Sequence, residues 1–291
     1  MAMAAPPIIT PLSPTQRYMR RFATHKLGVL GLIFLILVVS AALFAPWIAP
    51  YPPQRILTRA LQAPSWKYWF GTDEIGRDIF SRIVWGSQIS LQVVGYSIAG
   101  AAIVGATVGL IAGYVGGWID IVLMRIMDAI MAFPFLIFAL AIVAILGPSV
   151  QNSAMAIAIA KAPGFARIVR SEILGLRGRE FVKAAIVLGA TDQRIITRHL
   201  WPNVTGNLII YASLSGSTAL ITESSLSFLG LGVRPPAPSW GYMISVGMAH
   251  WQYWWMSVFP GLAIFLTVLA FNFVGDALRD ASDSKLDLGT S

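Results

Sequence analysis

The chain has 291 residues, of which 56% are hydrophobic and 12% charged, with a formal net charge of +8 and no cysteine. Ordinary soluble domains carry roughly a quarter charged residues, so a water-solvated globule is excluded. The missing cysteines exclude a disulfide frame and a thiolate metal site. Nucleic acid is not the expected partner of the positive balance, because the cations lie between apolar runs. These runs number six and are about twenty residues long, which is what a hydrocarbon core of ~30 Å demands at ~1.5 Å per residue. The expected fold is an all-α polytopic membrane protein with six transmembrane helices in a lipid bilayer.

Residues 1–26 read as a cytoplasmic tail, disordered over 1–16, where Pro6, Pro7, Pro11 and Pro14 cluster. The first transmembrane helix is expected at 27–49. Its apolar stretch exceeds the roughly 7–15 residues of a signal peptide, and Pro46-Trp47 and Tyr51-Pro52-Pro53 read as an interfacial exit. Residues 50–85 form an extracytoplasmic loop with an interfacial helix. There Thr72 is the expected N-cap, Asp73 and Glu74 suit the positive helix end, and Asp78 pairs with Arg82. Ile75, Ile79, Phe80 and Ile83 then make an apolar face on the membrane surface.

Residues 86–280 are read as a core of five further spans, at 86–113, 129–146, about 152–169, 204–231 and 256–278. In the second span Gly105, Gly109 and Gly113 recur every four residues, a stripe for close helix approach. Arg125 and Asp128 are expected to neutralise each other at the start of the third, with a kink at Pro134. The fourth is interrupted by Lys161 and Pro163-Gly164. Residues 281–291 are a second cytoplasmic tail. Most cations fall on the side of the N-terminus under this arrangement, which favours both termini inside by the positive-inside rule.

The longest inner connection, 170–202, has its own pattern. A helix from about 180 to 188 places Phe181, Ala184 or Ala185, and Leu188 on one face, and the same loop carries Lys183. Gly189-Ala190-Thr191-Asp192 reads as a turn with Asp192 as cap, and a second short helix carries Ile195, Ile196 and Leu200 opposite Arg194 and Arg198, ending at Pro202. The residues alone leave two readings open: a docking surface for a protein, or an amphipathic segment on anionic lipid.

Glu223 is the one carboxylate well inside an apolar run. It lies nineteen residues past Val204, about 28 Å along a helix and so near the outer end. It either lines a path together with Ser224, Ser227 and Asn272 or hydrogen-bonds within the helix packing. His25, His199 and His250 lack ligand spacing, and no Gly-x-x-x-x-Gly-Lys-Ser/Thr loop occurs, so no metal, cofactor, catalytic constellation or nucleotide site is expected on this chain.

The loop with Ala184, Ala185, Gly189 and Pro202 resembles the EAA loop of permease subunits of ATP-binding-cassette importers; Lys183 stands at the family's acidic position. Gly71-Thr72-Asp73, Gly76-Arg77-Asp78, Leu226 to Gly232, Pro238-Ser239-Trp240-Gly241 and Phe259-Pro260-Gly261 through Asn272 extend the likeness. They are similar to the C-type permeases of dipeptide, oligopeptide and nickel importers. The resemblance implies a type I importer permease fold in a bacterial or archaeal cytoplasmic membrane. It also implies a second homologous permease, one or two ATPase subunits docked on the loop 170–202, an extracytoplasmic solute-binding protein, and a peptide as solute. Nickel or glutathione are the alternatives within that family. An ion-driven secondary carrier is the alternative outside it, although inverted repeats and midplane charge clusters are not apparent.

Overall fold

The computed structural model describes residues 14–233 and 235–282. The tails expected at 1–13 and 283–291 lie outside the described residues. In chain order the helices are α1 (Pro14–Thr24), α2 (Lys26–Leu43), α3 (Ala45–Ile48), α4 (Ile79–Val115), α5 (Gly117–Met131), α6 (Phe135–Leu146), α7 (Val150–Arg177), α8 (Glu180–Val187) and α9 (Asp192–Ile195). A π-helical turn, Ile196–Leu200, then leads into α10 (Trp201–Phe228), followed by α11 (Trp240–Ala249) and α12 (Trp255–Ser282). Among the described residues the one strand-like pairing is an isolated bridge between Thr72 and Asp78. The ends differ from expectation: residues 14–16 belong to α1, and the last helix runs on to Ser282.

Helices α2, α4, α10 and α12 are each apolar and long enough to cross a membrane, and a fifth span is reached if α5 and α6 count as one bent unit. α7 has 28 residues but carries Lys161, Arg167, Arg170, Glu172 and Arg177. Protein therefore surrounds much of it: Ile157, Phe165, Ala166, Val169 and Ile173 are all buried. The expected break at Pro163-Gly164 is absent. The proline is buried inside a continuous helix, and Gly164 leaves the space taken by the Tyr211 ring, which meets Phe165 edge-on at 4.7 Å.

α4 lies along α7 through the glycine stripe. A Cβ on Gly105 would sit 2.5 Å from the Ala162 carbonyl oxygen, and one on Gly109 would sit 2.4 Å from that of Ala166. Only the absence of a side chain lets the backbones approach so closely. On the other flank Gly28 and Gly31 of α2 abut Ala277 and Ala270 of α12 in the same way.

Other expectations change as well. The third span is broken: α5 and α6 meet at 87° across residues 132–134. Pro134 has no N–H to continue the ladder and disfavours helical geometry in the residue before it, so the kink becomes a corner. Asp128 also finds a different partner. It accepts from Arg167 of α7 at 2.6 Å rather than from Arg125, and Asp120 holds Arg170, so two ion pairs fasten α5 to α7.

The outer loop is a further correction. No helix starts at Thr72. The helix begins at Ile79, capped by the Asp78 carboxylate, which accepts from the Ser81 backbone N–H at 2.8 Å and from its hydroxyl. Burial pushes the Asp78 carboxyl above its ordinary range, against the pull of the Ser81 hydrogen bonds. Asp73 instead binds Arg77 at 2.6 Å and lies 3.5 Å from Arg82, so the expected Asp78–Arg82 pair gives way to an Asp73-centred network. Arg82 also donates to the Pro53 carbonyl oxygen. Thr72, Asp73, Arg77, Asp78, Ile79 and Arg82 are all buried. An interfacial helix would have left these charges in water; the loop folds over them because a buried carboxylate requires such partners.

Candidate functional site

The inner connection is ordered by a small apolar anchor. Val182 of α8, Ile195 of α9 and Leu200 of the π-helical turn are buried together with Val169 and Ile173 of α7 and Val204 of α10. With Val182 turned inward, the opposite side of α8 points out. The helix stops in a Schellman motif: the Gly189 N–H donates to the Ile186 carbonyl oxygen at 2.9 Å and the Ala190 N–H to that of Ala185 at 3.0 Å. Gly189 has φ +76°, the left-handed conformation that this motif needs and that glycine adopts without strain.

The next turn is capped by Thr191, whose hydroxyl accepts from the Arg194 N–H. Asp192, the expected cap, instead accepts from the Tyr114 hydroxyl at the end of α4. The Arg177 guanidinium lies 5.6 Å from the Tyr114 ring centroid and donates to the Gly113 carbonyl oxygen. The loop is thereby tied to α4 as well as to α7.

Phe181, Ala184, Ala185, Leu188, Gly189 and Arg194 come together around one cavity of about 550 Å³, completed by Ala190, Thr191 and His199. Three of the expected residues are elsewhere: Lys183, Arg198 and Pro202 are exposed but do not line it. The most prominent groups are Val187 and Leu188, 86% and 85% exposed. Val187 was not singled out from the sequence, although two adjacent apolar residues just before a C-terminal glycine, one turn beyond Ala184, carry the signal. Tyr114 and Arg177 offer no such signal. The loop thus presents apolar knobs beside a hollow floored by small side chains and rimmed by Arg194, a form suited to a protein surface.

Glu223 sits at the other end. It is 1% exposed, and its carboxylate accepts hydrogen bonds from Ser227 at 2.8 Å, from Ser90 of α4 at 3.0 Å and from Ser224 at 3.4 Å. The cluster joins α10 to α4. Asn272 lies half-buried on α12 and takes no part in it, whereas Ser224 also borders a cavity of about 400 Å³ with Leu136, Ile221 and Ser225. Because rotatable hydroxyls can serve a carboxamide as well as a carboxylate, Glu223→Gln should leave uptake within about twofold of wild type and cost about 1 kcal/mol at most. Thermal unfolding in detergent and an uptake assay check this, and a large uptake loss with unchanged melting would assign Glu223 to the path.

Known proteins share this chain's sequence pattern and fold. Residues 105–288 match the model of the binding-protein-dependent transport system inner membrane component, and residues 13–64 match that of the N-terminal TM domain of oligopeptide transport permease C. The dipeptide transport system permease protein of Alkalihalophilus pseudofirmus is 46% identical over 280 residues, covering 95% of this chain and 92% of the relative. The glutathione transport system permease protein of Escherichia coli strain 536 is 41% identical over 296 residues, covering 98% and 96%. In fold, an inward-facing methionine ABC transporter superposes with a TM-score of 0.57 at 18% identity, over 69% of this chain and 97% of that one. An amino acid ABC transporter gives 0.53 at 16%, over 68% and 92%. The chain therefore belongs to the family of binding-protein-dependent transport system inner membrane components, as a multi-pass permease subunit of an ABC importer.

Proposed function

We propose that this permease carries peptides inward, and that an ATPase subunit drives it by gripping the loop between α7 and α10. The single observation that carries the coupling site is the exposed Val187–Leu188 pair, held rigidly beside its cavity by the Schellman turn and the buried Val182 anchor. Apolar knobs beside a hollow floored by small side chains, on an element that cannot fold away, suit a complementary protein surface. The small floor at Ala184 and Ala185 admits a close approach.

In this reading both termini and the α8 loop face the cytoplasm, where Arg20, Arg21, Lys26, Arg177, Arg179, Lys183, Arg194 and Arg198 would also gather. A second homologous permease supplies the other wall of the path, two ATPase subunits sit beneath the pair, and an extracytoplasmic solute-binding protein delivers the solute. Peptide is the shared chemistry of the two relatives' solutes, since glutathione is itself a small peptide. ATP closure of the motor then biases the permease between two states through the loop.

The test is uptake of labelled dialanine into proteoliposomes holding both permeases, the ATPases and the solute-binding protein. Uptake should require ATP and vanish when the ATPase is omitted. Persistent uptake driven by a proton gradient alone would favour an ion-driven carrier.

A further inference from the structure

Lys161 is a cation far from either end of its helix. It lies eleven residues past Val150, about 16 Å along α7, and it meets Thr218, ten residues before Phe228 and about 15 Å from the end of α10. Both distances fall near the middle of a hydrocarbon core of ~30 Å, where an ammonium is costly and marks a pathway more often than a lipid-facing site.

Its surroundings are incomplete for a structural charge. The ammonium donates to the Thr218 hydroxyl oxygen at 2.5 Å and lies 4.9 Å from the Phe135 ring centroid. The Thr218 hydroxyl commits its own hydrogen to the Ser215 carbonyl oxygen, so it serves Lys161 as an acceptor only. Of the three ammonium donors one is used, and among the described residues no carboxylate lies within ion-pair distance of Lys161. The intramembrane acid does not supply it, because Glu223 is enclosed by Ser90, Ser224 and Ser227.

The site also opens in the right direction. Thr218, Ile221 and Ser225 follow one another on one stripe of α10 that the rest of the chain leaves uncovered or half-covered. Ile221 and Ser225, with Leu136 next to Phe135, border the cavity of about 400 Å³. The Thr218 and Ser225 hydroxyls bond carbonyl oxygens of their own helix, so what distinguishes this stripe from a lipid-facing one is the Lys161 ammonium beside it.

We infer that Lys161, seated on Thr218, is an anion subsite midway along the path and takes a carboxylate of the passing peptide. This rests on the peptide-import reading. The solute's carboxylate would accept from the two ammonium N–H groups that have no acceptor among the described residues, while Phe135 and Thr218 hold the side chain toward the path.

The experiment uses the complete importer in proteoliposomes, with dialanine and dialanine amide each at a concentration that saturates the solute-binding protein. The same binding protein delivers both solutes to every variant, so its own preference cancels when each variant is divided by wild type. For Lys161→Gln we expect dialanine uptake to fall about tenfold and amide uptake to change less than about twofold; Lys161→Arg should keep both near wild type. ATPase activity stimulated by the loaded binding protein should persist in Lys161→Gln. Equal loss of both solutes, or undiminished dialanine uptake by Lys161→Gln, overturns the subsite. Absence of dialanine uptake by wild type overturns the peptide reading instead, and the two failures are thereby distinct.

Discussion

Replacing Leu188 by Asp should lower ATP-driven uptake by about a hundredfold, while the permease inserts and melts as wild type does. The side chain is almost fully exposed, so the folded permease loses no packing. The turn beyond it is fixed by Gly189 and by the hydrogen bonds to Ile186 and Ala185, none of which involves the Leu188 side chain. All of the cost falls on the complex, where a carboxylate would have to enter an apolar contact; central contacts of that kind are worth about 2–4 kcal/mol. Co-purification of the ATPase should fail together with uptake. Lys183→Ala is the matched control: this lysine is exposed, forms no ion pair among the described residues, and does not line the cavity, so uptake should stay within about threefold. If the lysine variant were silent and the aspartate variant active, docking through the α8 knobs would be wrong.

Gly109→Val should be strongly destabilising. A Cβ there would stand 2.4 Å from the Ala166 carbonyl oxygen and 2.9 Å from the Val169 Cβ, and the first of these is backbone that no rotamer change can move aside. α4 and α7 must separate, which breaks the contacts at Gly105 and Gly113 as well. The expected cost is about 3 kcal/mol, a fall of roughly 6–12 °C in the melting temperature for a protein of this size. Gly206→Ala on α10 is the counterpart: nothing lies within 4 Å of its added Cβ, and the better helix propensity should leave stability unchanged or slightly higher. Differential scanning fluorimetry in detergent separates the two.

How far the residues announced this structure depended on how local the deciding physics was. The α8 helix was legible because Gly178 and Gly189 bracket an amphipathic run, and the glycine stripe of α4 was legible because its spacing equals one helical turn. The corner at Pro134 was half legible: a proline announces an interruption, but the 87° angle depends on what α5 binds, and Asp120 and Asp128 find their arginines some forty to fifty residues away on α7. The same limit explains the outer loop. Thr72, Asp73 and Glu74 look like a helix start by local rules, yet Asp73 is claimed by Arg77 and Arg82. Within the candidate site, the small floor and Leu188 follow from the local pattern, whereas the bond between Tyr114 and Asp192 spans 78 residues and had no local sign.

α4 has 37 residues and is about 55 Å long, nearly twice the thickness of the hydrocarbon core. Its first turn is fixed in the buried charge network around Asp73, and its last turn is clamped by Arg177 and Asp192 through Tyr114. One uninterrupted rod therefore joins the two faces of the membrane. Each end is held by charged or aromatic contacts, so a displacement at either end loads the helix itself. Under the proposed docking of an ATPase on the α8 loop, force on one face and occupancy on the other would act on the same helix.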